Sequence, residues 1–360
     1  MSGLLALGSF SQQSCYYGSS AESYDELVKT TWRHTDKTLT KNESIKRELI
    51  RYATLSPSSH NTQCWKFKIQ DNEIKIYPDF SRRCSVVDPD DHHIFSTLGC
   101  AAENLVQAAK ALGYNCEVIY QQSGDQAVVI KLDKHKPISS PLFDAIPKRQ
   151  CTRGEFDGKP LTTEELNQLK KAGSRNGVEV LLFSDTAKMN DILEYVVEGN
   201  TIQLSDPAFV KELGDWIRFS EDQVVKRRDG LFTKSSGNPT MPSWLGNRIF
   251  KYLLSADTEN DKYAKQVRSS AGIAVFVSDI NDREHWVEAG RCYERFALQA
   301  TALGIRNAML NQPVEVYSIR PQFASYLGIG DKKRPDLIVR FGRGPELPRS
   351  LRRPLHEVII

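Results

Sequence analysis

One stretch constrains this chain more than any other, because it occurs twice. GCAAENLVQAAKALG at 99–113 aligns without gaps on GRCYERFALQATALG at 290–304, an offset of 191 residues. Glycine, glutamate, two alanines, leucine and glycine recur in step. Both copies read as apolar helices that stop at a glycine. Small residues on a helix face let backbones approach closely, so the two copies are expected to pack against each other. Each copy sits late in its own half of the chain, after a helix and a strand. That order points to duplication. The expected object is an α+β pair of similar domains in one chain, facing each other across a pseudo-two-fold axis.

The rest of the chain divides around that expectation. Residues 1–24 carry no usable periodicity and read as a disordered arm. The alternative is a truncated export signal, since MSGLLALGSFSQQSC has an apolar patch and small residues but no basic start. The first half is placed at 25–140. It has a helical pattern from Asp25 to Tyr52, a hairpin from KFKI and IKIYP around DNE, a helix at 92–112 and a strand pair at 116–132. Three prolines in HKPISSPLFDAIPKR mark the boundary, and the second half runs from 141 to 360. It offers a helix capped by Thr162 or Thr163, strands at VEVLLF, AGIAVFVSD and DLIVRFG, and one long helical region at about 186–228. RRDGLFTKSSGNPTMPSWLGN (227–247) is long for a loop, and a lid is expected within about 205–262.

Forty-eight basic residues against 45 acidic ones leave a net charge of +3, which argues against bulk binding to nucleic acid. No apolar run has the length of a membrane helix. Seven cysteines without a CxxC pair describe neither a disulfide framework nor a zinc knuckle, so reduced thiols and a cytoplasmic setting are expected. Export would follow instead if the N-terminus were a signal remnant. Asp90, Asp91, His92 and His93 are adjacent at a helix start and are not expected to converge on one ion, so no metal is assigned.

Two segments carry chemistry. SPSSHNTQCW (56–65) crowds hydroxyls and amides in front of a tryptophan that enters a strand. RQCTR places Arg149 and Arg153 around a small side chain, a pattern suited to phosphate, because guanidinium forks match phosphate oxygens. No GxGxxG and no GxxxxGK[ST] occurs, so side chains and loop amides would have to hold such a phosphate.

SPSSHNTQCW resembles the PSSxNxQPW segment of the nitroreductase-like FMN oxidoreductases. RQCTRGEF resembles their RxSxRxF segment, and PRSLRRPL (348–355) their C-terminal basic segment. The likeness runs over roughly 40–355 and is nearest to the tandem, single-chain Acg type. It implies the nitroreductase fold and a composite flavin site. Pro57, Ser58, Ser59, Asn61 and Gln63 would come from the first half. Arg149, Cys151, Arg153, the turn Met309–Leu310–Asn311, and Arg352 and Arg353 would come from the second. Cys151 stands where the family has Ser or Thr, and a thiol is the weaker donor, so the arginines should carry the phosphate. RHTDK (33–37) looks like a degenerate RxSxR, and its partner near 172–180 lacks the Asn-x-Gln-x-Trp pattern. One FMN per chain follows, with NAD(P)H as electron donor and a nitroaromatic, quinone or similar small molecule as acceptor. No side chain need act as acid or base. A monomer is expected, because the dimer is built into the chain. The alternative is a flavin-sequestering protein with little turnover.

Overall fold

The computed structural model describes residues 22–35 and 41–360. The expected N-terminal arm therefore falls outside the described residues as far as residue 21, as do residues 36 and 37 of RHTDK.

The chain opens with α1 (Tyr24–Thr31) and α2 (Asn42–Thr54). The single helical pattern expected from Asp25 to Tyr52 is thus two helices. At the break, Trp32 turns away and donates its Nε1–H to the carbonyl of Ser350 at 2.9 Å. Strands β1 (Trp65–Gln70) and β2 (Glu73–Pro78) form the expected hairpin. Helix α3 (His92–Ala111) precedes β3 (Tyr114–Tyr120) and β4 (Val128–Lys134), and α4 (Pro141–Ala145) follows at the expected boundary.

Thr162 caps α5 (Thr163–Gly173) in a reciprocal box with Glu165, and β5 (Val178–Phe183) follows. The long helical region is broken by Pro207 into α6 (Thr186–Ser205) and α7 (Pro207–Trp216). Beyond them, β6 (Ile217–Arg218), α8 (Glu221–Arg227) and β7 (Leu231–Phe232) fall within the expected lid region, with β6 and β7 paired in parallel. Asp229 ties the turn down by ion pairs to Arg218 and Arg82. Helices α9 (Ser243–Leu253) and α10 (Ala256–Arg268) lead to β8 (Gly272–Ser278). The chain continues through α11 (Arg283–Ala302), β9 (Arg306–Met309), α12 (Gln312–Glu315), α13 (Arg320–Tyr326), β10 (Arg334–Gly342) and α14 (Leu355–Val358).

The two main sheets have one topology. The first runs β1-β2-β4-β3 and the second β5-β8-β10-β9, each wholly antiparallel, with a twenty-residue helix inserted between the second and third strands in sequence. Every residue of β8 and β10 is buried, because helices cover both faces of the second sheet; β8 is apolar as far as Ser278, whereas β10 also buries Arg334, Asp336 and Arg340.

Helices α3 and α11 pack together at the centre, and the offset of 191 governs how they do so. A Cβ on Gly99 would lie 1.9 Å from the carbonyl oxygen of Val287, and one on Gly290 would lie 1.8 Å from that of Ser96. Gly99 corresponds to Gly290, and Ser96 to Val287. Each helix therefore presents the same glycine to the same place on the other. Both helices end at a left-handed glycine, Gly113 (φ 87°) and Gly304 (φ 72°).

The C-terminal segment returns to the first half. Ile359 bridges Phe67 in parallel, the N–H of Ile360 donates to the Phe67 carbonyl at 2.8 Å, and Tyr24 donates its hydroxyl to the carbonyl of Arg349 at 2.6 Å.

Candidate active site

The loop SPSSHNTQCW is held in a conformation that its residues disfavour. His60, Asn61 and Gln63 have φ of 49°, 52° and 55°, the left-handed region that non-glycine residues enter at a cost. Trp65 pays for part of this: it is fully buried beside Phe67, worth roughly 3 kcal/mol for a ring of that size. Hydrogen bonds supply the rest. Ser58 Oγ accepts from the Gln63 amide at 2.9 Å. Asn61 Nδ2 donates to the Gly230 carbonyl at 3.0 Å, and Gln63 Nε2 donates to that of Arg228 at 2.8 Å. Gln63 Oε1 accepts from the Arg353 amide at 2.7 Å.

Two adjoining cavities lie against this loop. The larger, about 260 Å³, is lined by Ser59, His60, Ser96, Tyr263, Tyr293, Met309, Asn311 and Gln312 among others. The smaller, about 60 Å³, is lined by Asn61 and by four arginines, Arg149, Arg153, Arg349 and Arg352. Pro57, Ser58, Cys151, Arg153 and Leu231 line both and mark their junction.

The arginines differ in how free they are. Arg352 Nε donates to the Thr54 carbonyl at 2.7 Å, and its Nη atoms to Leu55, Ser56 and Leu351 carbonyls and to Asn61 Oδ1. It caps the C-terminal end of α2, where carbonyls lack helical partners and a cation is favoured. Burial, with Arg149 nearby, pulls its pKa down to about 9. Arg353 points away, toward Glu357 (3.2 Å) and Asp79 (3.9 Å). Arg149 is buried, pairs with Glu294 at 3.2 Å and donates Nη2 to the Leu55 carbonyl, while its Nη1 finds no protein acceptor. Arg153 has no side-chain hydrogen bond or ion pair among the described residues.

Glu294 was not singled out by the sequence reading, although a glutamate inside an apolar helix is a signal in itself. It is fully buried, and burial pushes its carboxyl up to about 7 against the pull of Arg149. The residue 191 earlier is Glu103, and its partners are different: Arg295 at 3.0 Å and Arg291 at 3.3 Å, both from α11. The first-half glutamate is thus saturated by the opposing helix, where Glu294 holds an arginine at a cavity wall.

The expected site residues therefore divide. Pro57, Ser58, Ser59, Cys151, Arg153, Met309 and Asn311 line the larger cavity, and Asn61, Arg149 and Arg352 join at the smaller. Gln63 and Arg353 brace the loop and do not line either cavity. Leu310 is turned into the core, its amide spent on the Ile338 carbonyl at 2.8 Å. His60 lines the larger cavity, and burial holds its imidazole down to about 4, which keeps it neutral near neutral pH. Buried polar atoms without a protein partner, Ser96 Oγ and Gln312 Oε1, belong to residues that also line the larger cavity. Such a cavity, mixed apolar and polar and joined to a basic pocket, suits a planar anionic ligand.

Comparison with known proteins agrees in kind. No family model matches the chain. Over 326 residues it is 23% identical to "Putative NAD(P)H nitroreductase Rv3131" of Mycobacterium tuberculosis, covering 87% of this chain and 90% of that one. It is 21% identical over 330 residues to "Putative NAD(P)H nitroreductase acg" of the same organism, covering 87% and 94%. The chain is a relative of the nitroreductase-like proteins, the Acg type among them. Partial structural overlaps include the FMN-dependent nitroreductase NfnB of Mycobacterium smegmatis in complex with NADPH. That overlap has 14% identity and a TM-score of 0.39, over 60% of this chain and 96% of that one. A nitroreductase of Desulfitobacterium hafniense with bound FMN overlaps with 15% identity and a TM-score of 0.38, over 62% and 98%. The relationship of this nitroreductase-like chain rests on the sequence relatives, which span nearly its whole length. No helix among its described residues is long and apolar enough to cross a membrane.

Proposed function

We propose that the chain is an intramolecular pseudo-dimer that binds one FMN and acts as an NAD(P)H-dependent oxidoreductase on a small acceptor such as a nitroaromatic or quinone. The observation that carries this reading is the junction of the two cavities. There the strained loop of one half meets Arg149, Cys151 and Arg153 of the other, and Arg153 is a cation without a protein partner. Arg153 and Arg149 would hold the phosphate, and Ser58 and Ser59 would face the ribityl chain or ring edge. Met309 and Asn311 would border the ring, with Ser96 and Gln312 offering further polar contacts. The flavin ring supplies hydride chemistry when bound. The protein's own work is to neutralise the phosphate, fix the ligand's orientation and restrict water, and none of these needs an acid or base. Saturation of Glu103 by Arg291 and Arg295 supports one site per chain rather than two.

A low-turnover, flavin-sequestering protein is the second reading. Phe209, Leu213, Leu231, Leu254 and Glu259, all within 205–262, line the larger cavity, as residues of a covering lid would. Purification with excess FMN, followed by anaerobic mixing with NADH or NADPH, separates the two. One flavin per chain that is bleached by nucleotide is the expected result. Bound flavin left unbleached supports sequestration, and a colourless chain overturns both.

Arg153 gives a selective test. Because it has no protein partner, Arg153→Ala should move stability by less than about 0.5 kcal/mol. Loss of one charge-assisted phosphate contact should weaken FMN binding tenfold or more, roughly 1.5–3 kcal/mol. Fluorescence titration with FMN measures it, and unchanged affinity removes Arg153 from the site.

A further inference from the structure

At the start of α3, beside the candidate flavin cavity, Asp88, His92 and His93 bring one ligand atom each within 4.8 Å of the other two, all buried. Asp90 and Asp91 are not part of this group, but the two adjacent histidines face each other. Asp88, in the turn before the helix, supplies the third atom in place of Asp90 or Asp91. We propose that these three residues form a binding site for a divalent transition-metal ion of the zinc type.

Hydrogen-bond capacity carries the argument. His92 Nε2 lies 2.9 Å from Asp336 Oδ1, and His93 Nε2 lies 3.2 Å from Glu315 Oε1. Each imidazole thus has a carboxylate behind it, the arrangement that fixes the tautomer of a metal-binding histidine and raises its basicity. When both rings donate Nε2–H to these carboxylates, the two Nδ1 atoms, 3.3 Å apart, meet as lone pairs. Two acceptors at that distance repel unless a proton or a metal ion lies between them. Two nitrogens on one tetrahedral ion at ordinary zinc–nitrogen lengths would be about 3.4 Å apart. Asp88 is fixed for the role, since its carboxylate accepts the His93 amide at 3.0 Å and the Ile94 amide at 3.3 Å.

Charge and access agree. Four carboxylates gather here (Asp88, Asp90, Glu315 and Asp336) against two guanidiniums, Arg320 and Arg334. This majority of carboxylates favours a cation at this place. A cavity of about 250 Å³, lined by Asp88, His92 and His93 among others, supplies an entry path. Two nitrogens and one oxygen with a fourth position toward a cavity match the donor preferences of zinc over magnesium or calcium.

The test is calorimetric titration of the chelator-treated chain with zinc near neutral pH. One zinc per chain, with a dissociation constant of about 10 µM or tighter, is expected. Asp88→Asn keeps an acceptor for the α3 amides, so the metal-free variant should melt within a few degrees of wild type while binding zinc at least tenfold more weakly. His93→Gln should lose the site. Absence of saturable binding overturns the proposal in favour of a proton shared between the two rings. Binding unchanged in both variants overturns it in favour of adventitious surface histidines.

Discussion

Gly99→Ala and Gly290→Ala should each cost about 3 kcal/mol or more, and either chain is expected to melt many degrees lower or to be recovered as insoluble protein. The added methyl would sit 1.9 Å from one carbonyl oxygen and 1.8 Å from another, both in backbone of the opposing helix. A side chain could rotate aside, but helical backbone cannot move without separating α3 from α11 along their whole contact. The two substitutions should be similar in size, because each glycine makes the contact that the other makes in reverse. Gly330→Ala is the control: nothing lies within 4 Å of its added Cβ, and the effect should stay within about 0.5 kcal/mol. Urea unfolding of the three variants settles the matter. A Gly99→Ala chain as stable as the control would mean that the helices do not cross this closely.

Removal of Arg149 should damage folding and ligand binding by separate routes. Arg149→Met leaves Glu294 buried without its counter-charge, a loss that approaches about 3–5 kcal/mol at pH well above 7, where the carboxyl would otherwise be ionised. The same change deletes a guanidinium at the basic cavity and should weaken FMN binding tenfold to a hundredfold. The double variant Arg149→Met with Glu294→Gln distinguishes the routes, since it should recover most of the stability and none of the affinity. The pH dependence has a defined sign. The Glu294 carboxyl titrates at about 7 in the fold against 4.5 as its ordinary value. Its favourable contribution is therefore complete below 4.5 and is lost as pH rises through 7, because the unfolded chain gives up the proton first. Without Arg149 the folded value climbs further, so the single variant's deficit should deepen with rising pH. The double variant should not follow that trend. A single variant with wild-type stability at all pH values would mean that the Arg149–Glu294 pair is not buried.

The parts of this design that are legible in sequence are those with a register. The repeat at 99–113 and 290–304 identifies two helices whose bounds in the fold differ by the same 191 residues. The hairpin at 65–78 has alternation and a charged turn, and Thr162 has its capping glutamate three residues on. β9 escapes because four residues, RNAM, are too few to establish a period of two. α10 escapes because ADTENDKYAKQVR is mostly polar, and only Gln266 and Val267 are buried. Within the site, Gln63, Arg352 and Arg353 have the donors and acceptors of ligand-binding residues. Those groups go instead to carbonyls and amides of distant segments or, for the Arg353 guanidinium, to Glu357 four residues on. Sequence reports what a side chain can bond to, and a polar atom aimed at a ligand is spelled like one aimed at the backbone. Arg149 and Arg153 show the same limit within five residues, one locked to a glutamate and the other unpartnered.

The return of residues 359–360 to Phe67 has a consequence for synthesis. β1 is an edge of the first sheet, and its outer rim is covered by residues about 290 positions later. On a ribosome adding about 5–20 residues per second, that rim stays uncovered for tens of seconds after the first sheet has emerged. An open strand edge is a template for pairing with another chain. The nascent first half is therefore at its most vulnerable to aggregation while the second is still being translated, and chaperone demand should fall on that interval rather than on the finished protein.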